Sequence, residues 1–251
     1  MFRLIISFLT LITVLSCNKF DKVMIIGHRG AMGHIAENTI PSINKAMELG
    51  VDGIEIDVFR CKSGELVVFH DKRLERLTNS SGSIESLELD SIKNIIVLDK
   101  YRIPTLEEVL QLIDGQVKLN IELKGYGTAS PTNYLINQYN NKGGWTEDKF
   151  IISSFKWDEL EKIRELNMTI PIAVLVNSNV NPIDALPFAK KIKAIAINPY
   201  FKDLNQKNIE KIQSTGLKVF PYTINELDDI ERMIKLGVDA IITDYPERIN
   251  K

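Results

Sequence analysis

Short apolar runs alternate with helical patterns along most of the chain. The runs are apolar throughout, which is typical of parallel strands covered on both faces of a sheet. The pattern predicts strands at 23–27, 52–58, 117–123, 149–153, 171–176, 193–197, 217–222 and 239–243. It predicts helices at 39–49, 105–113, 132–140, 157–166, 183–190, 205–214 and 226–235. This alternation favours an α/β fold of the (β/α)₈ TIM-barrel type over a doubly wound open sheet.

A weak internal repeat supports the barrel. Residues 49–57 read LGVDGIEID, and residues 236–244 read LGVDAIITD. In both copies a glycine follows a helix, a short turn comes next, and a strand ends at an aspartate. Glycine suits the left-handed residue that often follows a helix. A further signal is Thr105-Leu106-Glu107-Glu108, a capping box that predicts a helix start.

One stretch, residues 72–103, lacks the strand–helix pattern. It is largely polar and follows His70 directly. We expect a short insertion after the second strand that forms a loop or a small lid over the edge of the barrel.

The first residues differ from the rest. One positive charge and an apolar stretch too short for a membrane span precede Cys17. The sequence Val-Leu-Ser-Cys at 14–17 resembles the lipobox of bacterial lipoproteins; a plain signal peptide or an uncleaved anchor is the alternative. We expect a signal peptide at 1–16, a lipidated Cys17 with a short linker at 17–22, and one barrel domain at 23–251. That arrangement predicts a bacterial envelope protein, anchored to a membrane by lipid and facing the periplasm or the exterior.

Composition narrows the classes of function. The 251 residues include 31 basic and 33 acidic side chains, a balance that argues against nucleic-acid binding. If Cys17 carries lipid, Cys61 has no partner for an intramolecular disulfide. We expect Cys61 to pack as a small apolar residue at a strand end. The oligomeric state is not predicted.

Polar residues lie at or just beyond the carboxyl ends of the predicted strands, the ends that carry catalytic groups in such barrels. They are His28, Arg29, Glu55, Asp57, Glu122, Lys124, Ser153, Ser154, Asn198, Tyr222 and Asp244. Glu55 and Asp57 lie two apart and project to the same face of a strand. Together with Glu122 they would repel one another without a cation, and oxygen ligands select Ca²⁺ or Mg²⁺. The alternative is a structural ion network with Arg29 and Lys124.

The histidines supply candidate proton carriers. Imidazole titrates near neutral pH, so His28 and His70 are candidates for a general acid/base pair. Arg29 offers a planar fork and Lys124 a point charge, and both suit a phosphate. Phosphodiester cleavage is therefore the leading chemistry. His34 is interpreted as a loop residue.

These residues together resemble the glycerophosphodiester phosphodiesterase family, from about residue 23 to 247. The motifs that carry the resemblance are His28-Arg29-Gly30, Glu37-Asn38-Thr39, Glu55-x-Asp57, His70-Asp71, Pro104-Thr105-Leu106-Glu107-Glu108, Glu122-x-Lys124, Ser154-Phe155 and Thr243-Asp244-Tyr245-Pro246. The resemblance implies a barrel of the phospholipase-C-like phosphodiesterase type that releases glycerol 3-phosphate and an alcohol.

The resemblance also implies roles for individual residues. It gives metal binding to Glu55, Asp57 and Glu122, acid/base work to His28 and His70, and phosphate binding to Arg29 and Lys124. Glu37, Asn38 and Tyr222 become candidate contacts at the rim, where Glu37 would position Arg29 or the metal shell. Two positions depart from the family pattern: Ala36 replaces a usual proline and Tyr222 a usual tryptophan. The second change bears on substrate preference.

Two other functions stay open at this point. One is a phospholipase C- or D-like enzyme that acts on intact lipids, which would need a hydrophobic lid. The other is a binding barrel without catalysis, which would be expected to lack a histidine or a metal-binding acid.

Overall fold

The computed structural model describes residues 23–249. The predicted signal peptide, Cys17 and the linker lie outside these residues. No helix within 23–249 has the length and apolar character needed to cross a membrane. The strands are β1 Met24–Gly27, β2 Gly53–Arg60, β3 Leu66–Val68, β4 Ile96–Val97, β5 Tyr101–Arg102, β6 Lys118–Leu123, β7 Phe150–Ser154, β8 Ile172–Val176, β9 Ala196–Pro199, β10 Lys218–Val219 and β11 Ala240–Thr243. The helices are α1 Ile40–Glu48, α2 Leu89–Asn94, α3 Leu106–Ile113, α4 Ala129–Tyr139, α5 Trp157–Leu166, α6 Leu186–Lys191, α7 Gln206–Gln213 and α8 Leu227–Lys235.

Eight parallel strands build the predicted barrel. Their order is β10-β9-β8-β7-β6-β2-β1-β11, so β10 and β11 are the two ends of the sheet. Backbone hydrogen bonds join these ends: Asp239 N–H donates to Val219 at 3.1 Å, and Ile242 N–H donates to Pro221 at 3.1 Å. The barrel is therefore nearly closed, and the open-sheet alternative is excluded.

Small side chains allow the strands to close around a packed interior. Ala173, Ala196 and Ala240 lie there with Ile151 and Phe220, and all five are buried. The larger apolar cluster lies between the outer face of the strands and the helices. This division fits strands that are apolar on both faces.

The two copies of the internal repeat fold alike and flank β1 on either side. Gly50 and Gly237 both take a positive φ, 75° and 77°, directly after a helix. Asp52 Oδ2 accepts a hydrogen bond from a backbone N–H of the preceding barrel strand at 2.8 Å, and Asp239 Oδ2 does the same at 2.9 Å. The predicted capping box at Thr105 and Glu108 is also confirmed.

One strand prediction was wrong at its start. Strand β9 begins at Ala196 rather than at residue 193. Lys193 takes a positive φ of 50°, and Ala194 N–H still donates to Ala189 of α6 at 2.8 Å. The helix end therefore holds the residues that hydrophobicity alone assigned to the strand.

The insertion is ordered rather than a bare loop. Strand β3 pairs antiparallel with β2, and β4 pairs antiparallel with β5. A separate cluster of buried apolar residues supports it, including Phe59, Cys61, Phe69, Ile92 and Val97. Cys61 is thus buried just after a strand, as predicted.

The insertion changes the explanation for His70. His70 follows the apolar run at residues 66–69, but that run is not one of the eight barrel strands that carry the other site residues. Strand β2 instead extends past the rim to Arg60, turns, and returns as β3, so His70 reaches the rim from above. The backbone N–H of Phe69 donates to the carbonyl of Asp57 at 3.0 Å. This hydrogen bond holds His70 at the height of the rim.

Candidate active site

Polar side chains from several strands meet in one cavity of about 180 Å³ at the carboxyl edge of the barrel. Catalytic groups gather at this edge in such folds. The lining residues are His28, Arg29, Glu55, His70, Asn120, Glu122, Lys124, Ser153, Phe155, Leu175, Tyr222, Thr223 and Ile242. The two candidate histidines and the two candidate phosphate-binding residues, Arg29 and Lys124, thus share one cavity.

A larger groove of about 550 Å³ lies between the β2–β3 turn and helices α3 and α4. Its lining includes Glu65, Glu107 and Glu108 but neither a histidine nor a basic residue. The groove is lined by no basic side chain that could bind a phosphate and by no histidine, so the smaller cavity is the better candidate for phosphodiester chemistry.

Three carboxylates form a cluster beside this cavity. The register of β2 against β6 places Asp57 next to Glu122, with Glu55 two residues earlier on the same face. One oxygen from each side chain lies within 4.8 Å of the other two. Oδ1 of Asp57 is buried and accepts no hydrogen bond from residues 23–249, although Nζ of Lys124 lies 3.7 Å away. Oxygens from three close, buried carboxylates suit a hard divalent cation, so the donor set fits Ca²⁺ or Mg²⁺.

The charges of these acids oppose one another. Burial raises the pKa of Glu55 well above its usual value, and the charges of Asp57 and Glu122 add to this effect. Burial and the charge of Asp57 raise the pKa of Glu122 to about 7. Burial also disfavours the charged form of Asp57, but Arg29 and Lys124 outweigh it and lower the pKa of that carboxyl. A cation bound among the three would relieve their repulsion.

The basic side chains of Arg29 and Lys124 lie beside both the acids and the histidines. Nζ of Lys124 lies 2.9 Å from Oε1 of Glu122 and 3.2 Å from Nε2 of His70. The backbone N–H of Arg29 donates to Oε2 of Glu55 at 3.0 Å. The ion network that the sequence left as an alternative is therefore present together with the carboxylate cluster, rather than in place of it.

Each histidine is held through Nδ1 by an aspartate. His28 Nδ1 lies 2.6 Å from Asp244 Oδ1, and His70 Nδ1 lies 2.6 Å from Asp71 Oδ1. Because a carboxylate can only accept a hydrogen bond, each contact is assigned a proton on Nδ1. The lone pair on Nε2 of each neutral ring is then left for other contacts. Burial lowers the pKa of His70, which favours a neutral ring at neutral pH. Sequence reasoning gave no role to either aspartate; adjacency was the available signal for Asp71, and Asp244 offered none because it is distant from His28 along the chain.

Glu37 and Asn38 are absent from the lining of the cavity, but Glu37 contacts Arg29, the positioning role that the resemblance implies. Oε1 of Glu37, a 6% exposed residue, accepts a hydrogen bond from Nη1 of Arg29 at 2.7 Å. The Asn38 amide donates to Oδ2 of Asp57 at 2.8 Å. Their geometry thus orients Arg29 and Asp57. Arg76, which sequence analysis did not single out, also donates to Glu37.

Aromatic rings form one wall of the cavity. Tyr222 lies edge-on to Phe155 with ring centroids 5.8 Å apart, and it lies 6.2 Å from the ring of Tyr200. Its hydroxyl donates to the carbonyl of Val176 at 2.7 Å. The hydroxyl is therefore engaged, and Tyr222 offers the cavity mainly its ring.

Two buried polar groups in the cavity lining lack partners. Oδ1 of Asn120 and Oγ of Ser153 are buried without a hydrogen bond within residues 23–249. Ser153 lies beside Glu122 in the β6–β7 register, and Asn120 precedes Glu122 by two residues on the same strand. A buried polar atom without a partner costs about 1–3 kcal/mol, so these two atoms are candidate hydrogen-bond partners for a ligand.

Comparison with known proteins decides the family. The family model described as glycerophosphoryl diester phosphodiesterase family matches residues 28–248, which include His28, His70 and all three clustered acids. The chain belongs to this family.

Its relatives extend along almost the whole chain. A glycerophosphodiester phosphodiesterase of Caldanaerobacter subterraneus is 36% identical over 241 residues, which are 91% of this chain and 96% of that protein. The solved phosphodiesterase of Oleispira antarctica, in complex with the product sn-glycerol-3-phosphate, is 27% identical with a TM-score of 0.82 and coverage of 90% and 95%. The glycerophosphodiester phosphodiesterase of Thermotoga maritima is 26% identical with a TM-score of 0.74 and coverage of 90% and 96%.

Membership in the glycerophosphoryl diester phosphodiesterase family confirms two predictions: the chain is a hydrolase of phosphoric diesters, and its fold is the TIM barrel of the family. The alternative of a non-catalytic binding barrel is not supported. The carboxylate triad is a candidate metal site within that enzyme.

Proposed function

We propose that the enzyme hydrolyses glycerophosphodiesters to glycerol 3-phosphate and an alcohol, depends on one divalent cation, and uses His28 and His70 as a general acid/base pair. One observation carries this proposal: two imidazoles, each oriented by an aspartate, face one cavity beside a carboxylate triad. The family relatives support the reaction class, and the geometry supports the division of labour.

Glu55, Asp57 and Glu122 would hold the cation, Ca²⁺ or Mg²⁺. When bound, such a cation polarises a phosphoryl oxygen and balances negative charge that develops on it. Arg29 and Lys124 line the same cavity and would bind the remaining phosphoryl oxygens. Phe155 and Tyr222 would pack against the carbon chain of the glycerol.

The histidines would move two protons. The neutral histidine accepts the proton of the nucleophilic hydroxyl through Nε2 as the new P–O bond forms. The other histidine, protonated beforehand, donates its proton to the oxygen of the departing alcohol as the old P–O bond breaks. The nucleophile is either water or the neighbouring hydroxyl of the glycerol, which would gain from proximity. In the second case, water opens the cyclic phosphate in a further step.

Intact lipids are less suitable substrates. The cavity has a volume of only about 180 Å³. The insertion would have to supply an apolar lid, but Ile92, Ile95 and Val97 are buried in its own cluster. These features favour deacylated diesters over a phospholipase C- or D-like activity.

We further propose that Cys17 carries lipid and places the enzyme in a bacterial cell envelope, facing the periplasm or the exterior. The support is the sequence around Cys17 alone. Labelling of the expressed full chain with a fatty-acid analogue, with Cys17→Ser as the comparison, tests this assignment.

The decisive experiment uses the purified domain that begins after Cys17. A panel of glycerophosphodiesters is incubated with the metal-free enzyme and with Ca²⁺ or Mg²⁺, and glycerol 3-phosphate release is measured. We expect release only with a cation, and at least about a hundredfold less turnover in His28→Ala or His70→Ala. Turnover that survives exhaustive chelation would remove the metal role, and near wild-type turnover in either variant would remove the histidine pair.

A further inference from the structure

Arg76 lies in the insertion and links charged residues around the cavity. Its Nη1 and Nη2 donate to the two carboxylate oxygens of Glu37 at 2.9 and 2.7 Å. Its Nε donates to Oδ2 of Asp71. A single planar guanidinium thus holds two carboxylates at once, which a lysine cannot reproduce.

Each of these carboxylates contacts a residue of the site. Oδ1 of Asp71 holds Nδ1 of His70 at 2.6 Å, and Oε1 of Glu37 holds Nη1 of Arg29 at 2.7 Å. Arg76 therefore connects a histidine that descends from the insertion with an arginine that follows β1. These two side chains come from different parts of the fold and line the same cavity.

Arg76 is not placed to contact the substrate. It is absent from the lining of the cavity. All three of its side-chain nitrogens already donate to carboxylates, and the Glu37 side chain that receives two of them is 5% exposed. Its effect on the reaction must therefore pass through Asp71 and Glu37.

We propose that Arg76 is a positioning residue that fixes the spacing between His70 and Arg29. This inference rests on the roles of His70 and Arg29 in the proposed function. Without Arg76, Asp71 loses the donor that orients its carboxylate against the His70 ring. Arg29 is then the remaining arginine that contacts Glu37. The Glu37 carboxylate therefore draws the Arg29 guanidinium away from the phosphate. Misplacement of reacting groups by about 1 Å can reduce turnover about a hundredfold.

The test compares Arg76→Met and Arg76→Lys with Arg73→Met. Arg73 lies in the same loop, but its ion pair is with Glu75 outside the site, so it is a matched control. We expect kcat to fall about 10- to 100-fold in Arg76→Met, with a smaller change in KM. Arg76→Lys should recover part of kcat because it keeps one charged contact, and Arg73→Met should remain near wild type.

A double-mutant cycle separates positioning from a general loss of stability. If Arg76 acts through Asp71, the loss in Asp71→Asn/Arg76→Met should be at least about fivefold smaller than the product of the two single losses. The ring ¹⁵N resonances of His70 in the substrate-free protein should shift in Arg76→Met and stay unchanged in Arg73→Met. Circular dichroism spectra establish that each variant is folded.

Two results would overturn the inference: wild-type turnover and unshifted His70 resonances in Arg76→Met, or losses that multiply in the double mutant. If wild-type enzyme hydrolyses no glycerophosphodiester, the proposed function fails. The resonance comparison still decides whether Arg76 positions His70, because it needs no substrate.

Discussion

Oδ1 of Asp244 lies 2.6 Å from Nδ1 of His28, and Oδ2 of the same carboxylate accepts a hydrogen bond from Asn225 at 2.7 Å. The carboxylate is therefore fixed on one side and acts on the imidazole with the other. Burial disfavours the charged form of Asp244, but the contact with His28 lowers its pKa. The aspartate thus determines which nitrogen of His28 carries the proton.

Replacement of Asp244 by asparagine should disable His28 without removing it. The Asn amide can donate to Nδ1, which favours the tautomer with its proton on Nε2 and removes the lone pair from the reaction. We expect kcat to fall at least about a hundredfold. Glu247→Gln is the control, because Glu247 contacts His34 at 3.0 Å outside the cavity. Turnover in Asp244→Asn within threefold of wild type would contradict this role.

Glu122 gives the metal-free enzyme a characteristic pH dependence. Its pKa in the folded protein is about 7, above its usual value of 4.5. The folded protein therefore takes up a proton that the unfolded chain does not, and this contribution to stability grows as the pH falls from about 7 towards 4.5. With EDTA, Glu122→Gln should be more stable than wild type at pH 8 by about 1–3 kcal/mol, and the difference should shrink at pH 5.5.

Thermal unfolding with and without Ca²⁺ checks this prediction. Ca²⁺ should raise the Tm of wild type at pH 8 and have a smaller effect on Glu122→Gln, because the variant lacks one ligand charge. Glu165→Gln, on the exposed side of α5, is the control. An unchanged Tm for Glu122→Gln at pH 8 in EDTA would contradict the raised pKa of Glu122.

The hydroxyl of Ser153, which has no hydrogen-bond partner among residues 23–249, predicts a contact with substrate. If it hydrogen-bonds a glycerol hydroxyl, Ser153→Ala should raise KM for a glycerophosphodiester about 5- to 10-fold with little change in kcat. Bis(4-nitrophenyl) phosphate has no free hydroxyl, so its KM should stay the same. Ser154→Ala is the matched control, since Ser154 Oγ donates to the Leu123 carbonyl at 2.7 Å instead. Equal effects on both substrates would assign Ser153 to packing alone.

Glu159 fixes the loop that follows Lys124. Its buried carboxylate accepts hydrogen bonds from the backbone N–H groups of Gly127 at 3.0 Å and Ala129 at 2.9 Å. Burial opposes the charge, but Lys162 and these N–H groups lower the pKa of Glu159. Its stabilisation is therefore present above pH 4.5 and disappears as the pH falls through the lowered pKa.

Urea unfolding tests this role. Glu159→Gln should lose about 1–3 kcal/mol at pH 7 and less at acidic pH, because the charge-assisted bonds are lost. Glu161→Gln, which removes a more exposed partner of Lys191, should change stability by less than about 0.5 kcal/mol. Equal losses at pH 7 and pH 3 would contradict the pKa argument.

The barrel could be predicted because its strands lie in apolar runs that end in polar residues and alternate regularly with helical patterns. The insertion could not, because β3, β4 and β5 are short and pair antiparallel outside this alternation. Such short elements are determined by packing in their own cluster rather than by local pattern. The return of the chain to the rim at His70 could not be predicted for the same reason.

The chemistry of the site was predictable to the level of residue type. Glu55 and Asp57 share a face because a strand alternates, and Glu122 joins them through the register of two parallel strands. The supporting contacts were not predictable. Arg76 meets Glu37 across 39 positions of sequence, and Asp244 meets His28 across 216. Only the closed barrel brings such partners together.

The alternation of side chains along β3 has a final consequence. Leu66 and Val68 pack into the main core, whereas Val67 and Phe69 pack into the separate cluster of the insertion. Local opening of that smaller cluster would withdraw His70 and Arg76 while the barrel stays folded. On heating, turnover should therefore cease before the barrel melts, and the inactivated enzyme should recover on cooling without refolding from the unfolded chain.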